Sequence, residues 1–240
     1  MSDLPRGHTV TRFDDDLLSL RDLVLEMGSY VVNQIEQAVR AMRDEDVERA
    51  REVVNRDHIV NSYDVKCDEE SVHLIALRQP VAGDLRTVLS LNKSVTDLER
   101  IGDEAKKLAR VAIRLYESDS NFPNHQLLRD VTTMANLASA MLRGALQALE
   151  TLDVHRALEV AKCDAELNSE FQASLRRLTT YIVEDLRNLG HAIDVIIAVK
   201  GLERIGDHAK NIAEYVIFLV KGKDVRHTSP YSLEEELEKK

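Results

Sequence analysis

The hexapeptide LERIGD occupies residues 98–103 and returns unchanged at 202–207, 104 positions later. The match reaches beyond those six letters, since LERIGDEAKKLA (98–109) agrees with LERIGDHAKNIA (202–213) at nine of twelve positions. Upstream, DVERA (46–50) reappears as DVHRA (153–157) at an offset of 107, and Asp57, Asn61 and Ser62 recur as Asp164, Asn168 and Ser169 at that same offset. Three residues are lost between the two sets of landmarks, and RQPVAGD (78–84) supplies a loop to absorb the loss. A repeat of about 105 residues is far longer than a solenoid unit, so the chain reads as a duplicated domain.

Each copy carries three helical segments. In the first, apolar residues at spacings of three and four (Leu20, Val24, Met27, Val31, Ile35, Ala38, Met42) predict a helix over 14–43. A second is predicted over 46–78, with Asp46 as N-cap and Pro80 beyond its end. A third is predicted over 84–116, capped by Asp84 and striped by Leu85, Val88, Val95, Leu98, Ala105, Leu108, Ala112 and Leu115. The second copy repeats the plan at 125–151, 153–186 and 190–221. Only 4% of residues are aromatic, and 9 Gly and 4 Pro in 240 residues leave few breaks, which favours helices over sheets. Helices of about 30 residues joined by short turns pack antiparallel. The expected fold is therefore all-α, a tandem repeat of two antiparallel three-helix bundles. The first spans 1–120 and the second 121–225; an acidic tail follows at 226–240, where Ser232 and Glu235 form a capping box.

A net charge of −10 argues against nucleic acid, which is held by phosphate neutralisation, and suits metal cations or basic partner surfaces. No apolar run approaches the ~18 residues of a membrane span. AIDVIIAV (192–199) is interrupted by Asp194 and halted by Lys200, and the N-terminus lacks a secretory pattern. A cytoplasmic location is expected, with any membrane association peripheral. Cys67 and Cys163 form no CxxC and read as reduced thiols.

On the third helix of each copy, Glu99 and Asp103 (and Glu203 and Asp207) stand four apart, one carboxylate above the other. Like charges at that spacing cost about 0.2–0.5 kcal/mol, a penalty that a divalent cation reverses. Oxygen-only ligation suits Mg, Mn, Ca or Fe. The competing reading pairs these carboxylates with Lys106 and Lys210, three residues on from Asp103 and Asp207, or with the adjacent Arg100 and Arg204, on a solvated flank. Asp57 and Asn61, with their copies Asp164 and Asn168, either complete a ligand shell or are polar surface. Gly102 and Gly206 each cost a helix about 0.8–1 kcal/mol against Ala, which calls for a close neighbour or a ligand. No P-loop, GxSxG or HExxH occurs, and the single ExxH at Glu70 and His73 has no counterpart in the second copy. YVIFLV (215–220) reads as core.

With RQPVAGDLR (78–86), DLERIGDEAKKLA (97–109), GLERIGDHAKNIAEYV (201–216) and the exit KGKDVRH (221–227), the sequence resembles the PhoU family in both halves, from Phe13 to His227. The resemblance implies a tandem pair of three-helix bundles, a homodimer, and no catalytic activity. It implies partners, the ATPase of a phosphate ABC transporter and a phosphate-sensing histidine kinase, and a role in repressing the phosphate-starvation response. It places the family's acidic metal motif on Glu99, Asp103, Glu203 and Asp207, with Mg, Mn, Fe or Zn all open. It also assigns the loop residues Asp84 and Arg86 to partner binding, and less completely Arg187, because the second loop keeps Asp185 and Arg187 but lacks the proline. A carboxylate-ligated metalloenzyme in a helical bundle is the alternative, and an ion-free scaffold a third; matched acidic patches without histidines fit an adaptor better than an enzyme.

Overall fold

The computed structural model describes residues 11–117 and 125–225. Among the described residues seven α-helices run in order, with one short 3₁₀ turn between the last two: α1 (Thr11–Arg43), α2 (Val47–Arg56), α3 (His58–Arg78), α4 (Gly83–Glu117), α5 (His125–Thr151), α6 (Val154–Glu184) and α7 (Leu189–Lys221). There is no strand among the described residues. The fold is thus all-helical, as the periodicity requires. The tail, its capping box and the junction between the copies at residues 120–121 lie outside the described residues.

The repeated DVERA and DVHRA segments are helix starts. Asp46 accepts the Arg49 N–H at 2.9 Å to open α2, and Asp153 accepts from the His155 and Arg156 N–H groups to open α6. Three departures from the predicted helix boundaries have a local cause. The segment expected as one helix over 46–78 is broken at Asp57 into α2 and α3. Its backbone stays in the right-handed region, but the Asp57 carbonyl serves both the Val60 and the Asn61 N–H, and Tyr30 draws the Arg56 carbonyl away with a 3.2 Å hydrogen bond. Asp84 is not the cap of α4, which opens at Gly83; it lies in the first turn, where a negative charge suits the positive end of the helix. The helix expected over 153–186 ends at Glu184, and Asp185 instead caps a 3₁₀ turn at Leu186–Asn188.

The repeat itself does not say how the copies meet. Each half is an antiparallel three-helix unit: α1 and α4 lie parallel with α2–α3 between, as Tyr116 Oη donating to the Met42 carbonyl at 2.8 Å and the Arg78–Asp16 pair at 2.8 Å show. The halves are not beads on a string. α4 packs antiparallel along α7 and α1 along α5, so that α1, α4, α5 and α7 form an inner four-helix layer, with α2–α3 and α6 on its flanks. One continuous apolar core runs through both copies, from Leu20, Met27 and Ile35 through Leu98 and Ile101 to Met134, Leu142, Leu202 and Ile205. Every residue of the predicted α1 stripe is buried, and in α4 only Leu85 remains partly exposed.

Candidate functional site

The repeated glycines make a joint. A Cβ on Gly102 would stand 3.1 Å from Val60 Cγ1 and 3.5 Å from Gln34 Oε1. On Gly206 it would collide with Leu167 and reach Met141 Sδ at 3.4 Å. Val60 and Leu167 are duplicate positions, as are Gln34 and Met141, so the same three-helix contact is built twice. Leu98, Ile101 and their copies are wholly buried beside it.

That joint holds the acidic pairs on the flank facing α3 and α6, and the two flanks differ. In the first half, Glu99 and Asp103 are half-buried and form neither a hydrogen bond nor an ion pair among the described residues. Burial raises the Glu99 carboxyl pKa, and the charges of Asp103, Asp64 and Asp57 push it further, with Arg100 opposing. Lys106 does not serve Asp103, the pairing of the competing reading; it donates to the buried Asp57 at 2.5 Å. Four carboxylates therefore share one ammonium. Asp64, missed in the sequence, follows Asp57 by seven residues on the same helical face.

In the second half, Glu203 is buried and held by Lys200 at 2.6 Å, while the Lys200 ammonium also lies 5.2 Å above the Phe171 ring. Lys210 pairs with Asp164 at 2.9 Å, not with Asp207. Burial alone would lower the Lys210 pKa, but the Asp164 hydrogen bond and neighbouring acids leave it raised. Asp207 keeps solvent contact yet is crowded enough that desolvation, then Glu203 and Asp164, raise its pKa. One oxygen of Asp164, Oδ1, is buried with no partner. Phe171 occupies the position that Asp64 holds in the first copy, so three carboxylates here share two ammoniums. Asn61 is exposed and Asn168 half-buried, and neither side chain makes a hydrogen bond among the described residues.

Oxygen donors in excess of their cations fit a hard metal ion, and the first patch carries the larger excess. Among the described residues, however, no three His, Cys, Asp or Glu side chains close on one point. Glu70 and His73 are both exposed, and Cys67 and Cys163 are free thiols, with burial pushing Cys67 up to about 12.

A second polar constellation, absent from the sequence reading, ties the halves together. Buried Glu104 of α4 accepts from Arg204 of α7 and from Lys107, each at 2.9 Å. Buried Asp97 accepts from His208 Nδ1 at 2.6 Å and from Asn211 Nδ2 at 3.2 Å. Gly201 leaves room for this seam, since its Cβ would lie 3.4 Å from Glu104 Oε2. The available signal was that Asp97 and Glu104, seven apart, sit inside the apolar stripe of α4.

The loop residues expected to bind partners have local work. Arg86 Nε donates to the Leu219 carbonyl at 3.1 Å, its guanidinium lies 6.0 Å from the Phe218 ring centroid, and it packs against Gly222 at φ +71°. It thereby caps the C-terminus of α7. Asp84 is half-buried. Arg187 is exposed and paired with Asp185 at 2.9 Å.

Fold and site together define a duplicated helical-bundle protein with an acidic patch on each copy. The PhoU domain family model matches it twice, over residues 24–112 and 131–216, one match per half. The phosphate-specific transport system accessory protein PhoU homolog of Pseudomonas aeruginosa is 42% identical over 231 residues, covering 96% of this chain and 94% of that relative. The phosphate-specific transport system accessory protein PhoU of Escherichia coli is 35% identical over 221 residues, covering 92% and 90%. The crystal structure of PhoU from Pseudomonas aeruginosa superposes with a TM-score of 0.82 at 42% identity, over 88% of this chain and 100% of that one. The phosphate transport system regulatory protein PhoU from Streptococcus pneumoniae gives 0.81 at 26% identity, over 89% and 99%. The chain belongs to the PhoU family.

Proposed function

We propose that this protein is a non-enzymatic accessory regulator of phosphate-specific transport. In this reading it works in the cytoplasm as a homodimeric adaptor between the ATPase of a phosphate ABC transporter and a phosphate-sensing histidine kinase. It restrains phosphate uptake and the phosphate-starvation response when phosphate is plentiful. The observation that carries the reading is the end-to-end match to a protein named as an accessory of phosphate-specific transport, 42% identical across 96% of the chain. A peripheral rather than integral association agrees with the finding that no helix of the described residues is long and apolar enough to cross a membrane. The Glu99–Asp103 and Glu203–Asp207 patches are proposed cation sites, with Asp57, Asp64 and Asp164 beside them. A bound cation there would neutralise the patch and stiffen α3 against α4 and α6 against α7.

Deletion of the gene in its native host tests the role. Phosphatase expression in high phosphate becomes constitutive if the protein is the brake, and unchanged repression overturns the reading.

A further inference from the structure

Arg86, Lys93, Arg100, Lys107 and Arg114 follow one another at intervals of seven along α4. Seven residues make nearly two turns, so the five form one row about 42 Å long that drifts by about 20° per heptad. The row runs along the seam with α7. Arg86 meets the Leu219 carbonyl, Lys93 Nζ lies 5.7 Å from the Tyr215 ring centroid and 6.0 Å from that of Phe218, and Arg114 pairs with Asp194 at 2.7 Å. Lys107 and Arg204 of α7 converge on Glu104. Arg100, exposed between Lys93 and Lys107, forms no ion pair among the described residues.

The fold does not require this row. Its duplicate positions on α7 are Gly190, Ile197, Arg204, Asn211 and Phe218, of which only Arg204 is a cation. Nor do the acids of the seam use it up. Asp97 and Glu104 lie buried beneath it, while about half of each Lys107, Arg114 and Arg204 side chain meets water. Asp97 already serves His208 and Asn211, and neither Lys93 nor Arg100 holds a carboxylate. The seam also exposes large apolar side chains at both ends. Leu89, one turn before Lys93, is 48% exposed; Ile193 and Ile197, on either side of the Asp194 that Arg114 holds, are 48% and 45% exposed.

Cations flanked by exposed apolar groups ask for carboxylates set among apolar residues, and the width of the row decides what carries them. Glu99 and Asp103 border it on the α3 side and Asp207 on the α6 side. A flat anionic surface such as a bilayer would meet those carboxylates as well as the cations. An α-helix, about 10 Å across, lies within the row, and it repeats its side chains at the same seven-residue interval. We propose that the outer seam of α4 and α7 docks an acidic amphipathic helix of another protein, its carboxylates set a heptad apart along α4 and its apolar residues on Leu89, Ile193 and Ile197. A chain that docks such a helix but fails the deletion test keeps the surface and loses the regulatory role; one that passes that test without docking loses only the surface.

The test is fluorescence anisotropy of the full chain with a labelled synthetic helix as long as the row, each heptad carrying Glu toward α4 and Leu toward α7. A peptide of the same composition in scrambled order and phosphatidylglycerol vesicles are the comparisons. At about 0.15 M salt, charges more than about 8 Å away are screened, so the probe reads the row rather than the net −10 of the chain. Saturable binding of the heptad peptide is expected, with the scrambled peptide and the vesicles weaker by at least about tenfold. Lys93→Gln/Arg100→Gln removes two exposed cations that hold no carboxylate; it should melt as wild type does and weaken the peptide by about tenfold. Arg129→Gln/Arg176→Gln, which removes two exposed arginines of α5 and α6, should leave peptide binding unchanged. Equal binding of the two peptides, vesicle binding as tight as peptide binding, equal effects of the two double variants, or no saturable binding overturns the proposal. So does a dimer in sedimentation that Lys93→Gln/Arg100→Gln abolishes, because a second copy then covers the row.

Discussion

Arg204 of the second copy donates to Glu104 of the first at 2.9 Å, so the arginine that follows the repeated glutamate serves the joint between halves rather than its own acidic patch. Glu104 is buried and bonded twice, whereas half of the Arg204 side chain meets water. Glu104→Ala should therefore cost about 2 kcal/mol, the loss expected for charge-assisted hydrogen bonds, and Arg204→Ala distinctly less, because Lys107 still compensates Glu104. Urea unfolding of the two variants checks the order, and equal losses would contradict it.

The glycine joints differ in tightness. Gly206→Ala drives a methyl into Leu167, which is itself buried at 1%, and should lose about 1 kcal/mol even after the gain in helix propensity. Gly102→Ala meets Val60 Cγ1 at 3.1 Å, a contact that a shift of a few tenths of an ångström relieves, and its stability should stay close to wild type. Thermal melts of both variants would sink this account if Gly102→Ala proved the worse.

Lys106 holds a carboxylate that is nearly out of water. The Asp57 side chain is 5% exposed and Asp164 15% exposed, so removing the ammonium strands more charge in the first half. Lys106→Ala should cost about 3 kcal/mol, at the low end for breaking a buried pair, and Lys210→Ala less. Adding Asp57→Asn to Lys106→Ala should recover part of the loss, which a double-mutant cycle measures.

Protonation runs the other way for the unpaired acids. Folding raises the carboxyl pKa of Glu99 and of Asp207, so the folded chain binds these protons more tightly than the unfolded chain. The resulting penalty is absent below the unfolded carboxylate range and complete above the folded values, and stability at these sites falls as pH rises between them. Glu99→Gln should stabilise by about 0.2–0.5 kcal/mol near pH 7, the size of an i,i+4 like-charge repulsion. The gain should fade toward about pH 4, where the unfolded carboxyl is also protonated. A gain independent of pH would show that repulsion is not its source.

Cation binding should follow the charge imbalance. Elemental analysis of purified protein should show a larger metal deficit in Glu99→Ala/Asp103→Ala than in Glu203→Ala/Asp207→Ala, because Lys200 and Lys210 already neutralise much of the second patch. Equal content in all three, or none in any, returns these carboxylates to solvated surface.

The parts of the fold legible in the sequence were those that repeat or have a period: the duplication, the α1 and α4 stripes, the Asp46 cap. The break at Asp57 was hidden because its backbone stays helical and the cause, Tyr30, lies 27 residues away on another helix. Spacing offered Lys106 and Lys210 to Asp103 and Asp207 as the alternative to a cation, but an ammonium on a long stem reaches across to α2–α3 or α6, where a buried acid attracts it more strongly. The seam of Asp97, Glu104, Arg204 and His208 joins residues about 100 positions apart, a pairing to which neither helical period nor motif is sensitive. Asp64 and Gln34 escaped for the opposite reason: each lacks a chemical counterpart in the other copy, and a search for repetition passes over what is not repeated.

The packing of α4 along α7 gives the molecule an approximate two-fold axis inside one chain. A lone unit placing its third helix against a twin would have to carry both sides of that contact with one set of residues. Joined end to end, the copies are released from that obligation, and each side of the axis is free to specialise. Asp97 can face His208 while its counterpart is Gly201, and Gln34 can stay polar while Met141 turns apolar. The duplication thus leaves an architecture in which sameness maintains the scaffold and departure from sameness marks where the two halves have been given different tasks.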